Sequence, residues 1–149
     1  MIARFESFVT GITVCYKYIQ RIKSTEMTEL GLKGTHAMCL FFLHHNPEGL
    51  TASQLCSLCA EDKAAISRTL SELRRAGLVG IPSAKTYRAP LLLTAQGETV
   101  AHRVDSLIEG WVSAGGSGLD SPQRDAFYDT LSMIATNLRS HMEGNKSKN

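Results

Sequence analysis

The stretch EDKAAISRTLSELRRAGLV, residues 61–79, decides how the chain folds. Ile66, Leu70 and Leu73 recur at i, i+4 and i+7, the spacing of a helix face turned toward a core. The opposite face carries Ala64, Ser67, Arg68, Ser71 and Arg75. A solvated helix usually alternates Lys and Glu there. This one is small near its start and cationic further along, so a large, negatively charged partner can lie against it. Asp62 precedes the helix as an N-cap, and Gly77 stands where a left-handed residue closes it.

Upstream, Thr51 caps a shorter helix with the apolar set Leu55, Leu58 and Cys59, ending near Ala60. Two helices joined by a tight turn, the second of them basic, make a helix-turn-helix. Downstream, LVGIPSAKTYRAPLLLT reads as two short apolar runs around a loop bearing Lys85, Tyr87 and Arg88, a β-hairpin placed as a wing. A further helix over roughly 34–45 aligns Ala37, Leu40, Phe41 and His44, and Asn46, Pro47 and Gly49 stop it.

Long helices flank this unit. In the first, Phe5, Phe8, Ile12, Cys15, Ile19 and Ile22 step by three and four, the pattern of a helix packed along another helix. Thr94 caps a fifth helix with Val100, Val104, Leu107, Ile108 and Trp111 on one face. SAGGSGLDSP is a glycine-rich connector, and Ser121 as N-cap with Pro122 at the first helical position starts the last helix, which aligns Phe127, Leu131, Ile134, Leu138 and Met142. The expected fold class is mostly α with a small β-hairpin wing.

Composition narrows the function classes. A chain of 149 residues with 43% hydrophobic content fits one domain with a sizeable core. No apolar run is long enough to span a bilayer, and the N-terminus lacks the pattern of a secretory signal, so the expected location is cytoplasmic and the four cysteines are expected to be reduced. The net charge of +2 is small, but residues 51–94 hold six basic residues against three acidic ones, whereas the remainder is slightly acidic. Positive charge is concentrated around the basic helix.

The order of elements, and most densely the segment LTASQLCSLCAEDKAAISRTLSELRRAGLVGIPSAKTYRAPLLLTAQGETVAHRV, resembles the MarR family of bacterial winged-helix regulators. DKAAISRTLSELRRAGLV resembles that family's recognition helix, and YRAPLLLTAQG its returning wing strand and following helix start. The resemblance implies a homodimer built by the terminal helices, with residues 1–32 and 113–149 forming the dimerisation part and 33–112 the winged-helix part. It implies a transcriptional regulator that places two such units on neighbouring major grooves of a pseudo-palindromic operator. It further implies a small-molecule effector pocket between the two parts, for which Tyr16, His36, His102 and Trp111 are the candidates; each is equally explained by packing.

Physical reasoning reaches the same surface. Ala64 and Ser67 keep the leading face slim enough for a major groove, and Arg68 can reach a guanine edge or a phosphate. The helix starts at Thr51, Ser53 and Gln54 and at Lys63 offer backbone N–H groups to phosphate oxygens. Ser71, Arg75, Lys85 and Arg88 complete the expected DNA-contacting set. Arg74 and Arg75 serve either as backbone anchors or as ordinary solvated arginines near a helix end.

Other chemistries are weighed against this one. Cys56 and Cys59 have the spacing of a redox or metal pair, but both fall within a helix where small buried hydrophobes are wanted, and no second ligand pair completes a zinc site. Cys15, with Tyr16 and Tyr18 beside it, is either a packed thiol of the apolar seam or the reactive thiol of a peroxide-sensing branch. There is no GxSxG, HExxH or phosphate-binding glycine loop, so no enzyme activity, cofactor or metal is expected. A winged helix that binds protein instead would carry an aromatic anchor on its exposed face, which this one lacks.

Overall fold

The computed structural model describes residues 2–80 and 89–146, apart from the side chains of residues 145 and 146. The element order is α1 (Ile2–Glu29), α2 (His36–His44), α3 (Ala52–Cys59), α4 (Lys63–Arg75), β1 (Val79–Gly80), β2 (Leu92–Leu93), α5 (Ala95–Gly115) and α6 (Ser121–Lys146). The mostly helical fold with one small antiparallel sheet agrees with the sequence reading. Two compact units are present, residues 1–111 and residues 112–149.

The first unit is organised by α4. Asp62 Oδ1 accepts from the Ala65 N–H at 2.7 Å, fixing the start of the helix. At its end Gly77 takes φ +72°, the Gly77 N–H donates to Arg74 O and the Leu78 N–H to Leu73 O, both at 2.9 Å. That pair of bonds is the Schellman closure that a left-handed glycine permits. Between these caps Thr69 is buried, and Ile66, Leu70 and Leu73 are buried in one core with Met27, Leu40, Leu55, Leu78 and Val104.

α3 is shorter and more constrained. Thr51 Oγ accepts from the Gln54 N–H, and the Gln54 side chain accepts from the Thr51 N–H at 2.8 Å, a reciprocal capping box. Leu58 departs from the expected inward set: it is 44% exposed, and Cys56 is half-buried against the core instead. In a helix of eight residues packed beside both α2 and α4, the buried stripe runs through Leu55, Cys56 and Cys59. The helix ends on Ala60 in the left-handed conformation, φ 53°, which costs a non-glycine residue roughly 1 kcal/mol or more.

β1 and β2 pair antiparallel with Val79 opposite Leu93 and Gly80 opposite Leu92, and Leu50 bridges Leu91, which ties the entrance of α3 to the sheet. The expected loop residues Lys85, Tyr87 and Arg88 lie outside the described residues. Thr94 caps α5 as expected, accepting from the Gly97 N–H at 3.0 Å while its hydroxyl donates to Gly77 O at 2.6 Å.

Two helix boundaries differ from the sequence reading. α5 continues to Gly115, because Ser113 and Ala114 do not interrupt a helix, so the connector is shorter than SAGGSGLDSP. The cap of α6 is Asp120, not Ser121. Asp120 Oδ1 accepts from the Gln123 N–H at 2.8 Å and Gln123 Oε1 from the Asp120 N–H at 3.0 Å, a reciprocal box that Ser121 cannot make with its own third neighbour.

α1 and α6 keep large apolar side chains in solvent. On α1, Phe5 is 65% exposed, and Ile12, Ile19 and Ile22 are exposed as well; only Met27 is buried. On α6, Phe127, Leu138 and Met142 are exposed while Leu131 and Ile134 are half-buried. No described helix is long and apolar enough to cross a membrane.

Candidate nucleic-acid interface

Each residue expected on the outer face of α4 is exposed: Lys63, Ala64, Ser67, Arg68, Ser71 and Arg75. The two sides of the helix are therefore sharply divided. Its first two turns present Ala64 and Ser67 between the Lys63 ammonium and the Arg68 guanidinium, with no exposed aromatic or branched side chain to hold a groove wall away. Among the described residues Arg68 forms no ion pair.

Asp62, the capping carboxylate at the entrance, turns onto its own backbone. Its bond to Ala65 leaves the Lys63 and Ala64 amides without an intrahelical acceptor, the arrangement that suits an anionic oxygen. Asp62→Ala is expected to lower stability by about 1 kcal/mol, read as a shift of the urea midpoint with unchanged slope. At α3, Thr51 Oγ and Gln54 Oε1 are occupied by each other, 2.9 Å apart. The sequence reading placed both as DNA contacts; what remains to them is the Gln54 amide nitrogen, beside the exposed Ser53.

The inner side of α4 is anchored by Glu72. Its Oε1 lies 2.6 Å from Lys33 Nζ and its Oε2 2.8 Å from His36 Nε2. The Lys33 N–H donates to His36 Nδ1 at 3.3 Å, which leaves the ring proton on Nε2, facing Glu72. The hydrogen bonds from Lys33 and then His36 hold the Glu72 carboxyl below the usual carboxylate range. A carboxylate lowered in the folded state stabilises above its unfolded pKa and loses that contribution as pH falls through its folded value. Glu72→Gln is therefore expected to lower the melting temperature at pH 7, with the gap to the parent chain closing below pH ~4 in parallel thermal scans.

The four residues suggested for an effector pocket are engaged in different places. His36 is 5% exposed and held by Glu72; Trp111 Nε1 donates to Glu26 Oε2 at 2.6 Å; His102 stacks edge-on against His44 with ring centres 4.4 Å apart; Tyr16 is exposed. None of them lines the open groove of about 350 Å³ beneath α4, whose walls include Lys23, Lys33, Cys39, Cys59, Arg68 and Glu72. Among the cysteines, spacing had paired Cys56 with Cys59. The short contact is instead Cys39 Sγ to Cys59 Sγ, 3.8 Å, between α2 and α3. A pairing across twenty residues and two helices leaves no periodic trace in the sequence. Cys15 is exposed in the single chain.

The sequence model of the MarR family matches residues 30–88, which include α2, α3, α4 and β1. The match covers well under half of the chain, so it is a likeness of this central segment. Solved MarR structures share the fold well beyond that segment. A MarR family transcriptional regulator from Listeria monocytogenes, complexed with 26mer DNA, is 19% identical with a TM-score of 0.81, covering 89% of either chain. A MarR family protein of Mycobacterium tuberculosis, in complex with p-aminosalicylic acid, is 24% identical with a TM-score of 0.65, covering 85% of this chain and 96% of the other. MepR of Staphylococcus aureus, in complex with DNA, is 16% identical with a TM-score of 0.76, covering 85% and 93%. No curated protein sequence matches the chain.

Proposed function

We propose that the chain is a sequence-specific, double-stranded-DNA-binding transcriptional regulator that acts as a homodimer. The observation that carries this reading is the division of α4: a buried Ile66, Leu70 and Leu73 stripe behind an exposed face of Ala64, Ser67, Arg68, Ser71 and Arg75. α4 enters the major groove, Arg68 reads a base edge, and Lys63, Arg75, Ser53 and the first amides of α3 and α4 hold phosphates. Lys85 and Arg88 extend the phosphate contact from the wing. Likeness to relatives solved with DNA supports the same reading.

The dimer follows from hydrophobic surface. Phe5, Ile12 and Ile19 on α1, and Phe127, Leu138 and Met142 on α6, would lose the benefit of burial in a monomer, and rows of this kind mark an interface. The terminal helices then join two copies, and the operator is pseudo-palindromic with half-site centres about one helical turn (~34 Å) apart. The relative solved with p-aminosalicylic acid supports a response to a small aromatic acid or similar effector.

Selection of bound duplexes from a random pool, followed by light scattering of free protein and complex, tests the proposal. The expected result is a twofold motif bound by two chains. Enrichment of no motif, or of an asymmetric one bound by a single chain, contradicts it.

A further inference from the structure

The groove beneath α4 holds a feature that DNA binding does not use. Its walls include both Cys39, buried in the middle of α2, and Cys59, the last residue of α3, whose sulfurs are 3.8 Å apart. We propose that Cys59 and Cys39 form a reversible dithiol–disulfide site for hydroperoxides, with Cys59 attacking and Cys39 resolving, and that closing it weakens the hold of α4 on DNA. The second part rests on the function proposed above.

Three observations favour this pair over the other cysteines. The sulfurs already touch at 3.8 Å, and forming a disulfide of about 2 Å draws the two helices' side chains together. The groove of about 350 Å³ opens a route for a small oxidant to Cys59, which is half-buried, while Cys39 in the same wall is buried. The hydrogen bond from Cys39 lowers the pKa of Cys59, with Lys23 assisting against burial and Glu61, whereas the same bond and burial raise that of Cys39. The two thiols thus differ in the direction that assigns attack to one and resolution to the other. Cys56, on the same helix as Cys59, is not in this contact.

The Cys59 thiolate attacks the terminal oxygen of ROOH; the O–O bond breaks, and the alkoxide leaves with the proton that Cys59 gave up, as ROH. Cys59 is then a sulfenic acid. The Cys39 sulfur attacks that sulfur, the S–S bond forms, the S–O bond breaks, and hydroxide leaves with the Cys39 proton as water. Two electrons pass from the thiols to the peroxide. Mechanical consequence follows from position. Cys59 adjoins Ala60 in its left-handed conformation, then Glu61 and the cap Asp62, so drawing Cys59 toward α2 displaces the turn that sets the start of α4.

The test uses the full chain as Cys15→Ser/Cys56→Ser, leaving only the proposed pair. One equivalent of cumene hydroperoxide is expected to remove two hydrogen masses in non-reducing intact mass spectrometry, without covalent dimer, and dithiothreitol to restore them. Cys39→Ala and Cys59→Ala, each added to that background, are expected to abolish the loss. An unchanged mass, or an inter-chain disulfide, overturns the site. Separately, fluorescence anisotropy on a selected duplex is expected to show about tenfold or more weaker binding after oxidation, reversed by dithiothreitol. Intramolecular oxidation with unchanged affinity overturns the coupling. Failure of the reduced chain to bind any duplex sinks the DNA-binding reading, and the mass result stands apart from it.

Discussion

Gly97→Ala lowers stability by ~3 kcal/mol or more, roughly 10 °C in melting temperature. A Cβ at this position would lie 2.0 Å from the Leu78 carbonyl oxygen and 2.9 Å from its carbon. Both are backbone atoms, so no rotamer change relieves the overlap. Nor can Leu78 withdraw, because its N–H is held by Leu73 O at 2.9 Å and its carbonyl accepts from the Thr94 N–H at 3.0 Å. The close approach of the first turn of α5 to β1 is what places the wing strands beside the end of α4. Gly110→Ala, on the same helix with nothing within 4 Å, provides the contrast. There the ordinary helix preference for alanine should raise stability by about 0.5 to 1 kcal/mol. Paired denaturant titrations of the two variants check the account; near-equal midpoints would show that α5 does not rest on β1 as described.

Arg68→Ala has the largest expected effect on DNA binding, a loss of ~1 to 3 kcal/mol with relaxed preference at one operator position. Arg68 follows Ala64 by one turn on the slim face, is exposed, and has no ion-pair partner among the described residues. A free guanidinium on a groove-width helix can reach guanine O6 and N7 with two donors, an interaction that alanine cannot replace and lysine replaces poorly. Removing a phosphate contact such as Lys63 should instead weaken all duplexes alike and flatten the salt dependence. Anisotropy titrations against the selected operator and its single-position variants, each at two salt concentrations, separate base reading from charge. Equal losses on every sequence would reassign Arg68 to the phosphate backbone.

How much of this was legible in the sequence depended on how local each feature is. α4 was readable because its period, its Asp62 cap and its Gly77 closure are all set within a few residues of one another. The cap of α6 was misplaced by one residue because Asp120 and Ser121 are both good capping types, and only the reciprocal bond of Gln123 distinguishes them. α3 misled because a two-turn helix wedged between α2 and α4 does not follow a single stripe, which put Leu58 inside on paper and outside in the fold. Features made by distant residues were hidden altogether. The Lys33–Glu72–His36 cluster and the Cys39–Cys59 contact join helices that sequence spacing cannot align. The exposed face of α4, by contrast, needed no tertiary knowledge beyond which side was buried.

The central claim is that the outer face of α4 occupies the major groove, and methylation interference on the selected operator tests it most directly, since dimethyl sulfate marks guanine N7 on that side. The account predicts that methylated guanines in both half-sites, about one helical turn apart, block binding, and that Arg68→Ala erases the block at one guanine per half-site. Binding indifferent to N7 methylation but abolished by a minor-groove ligand would contradict it.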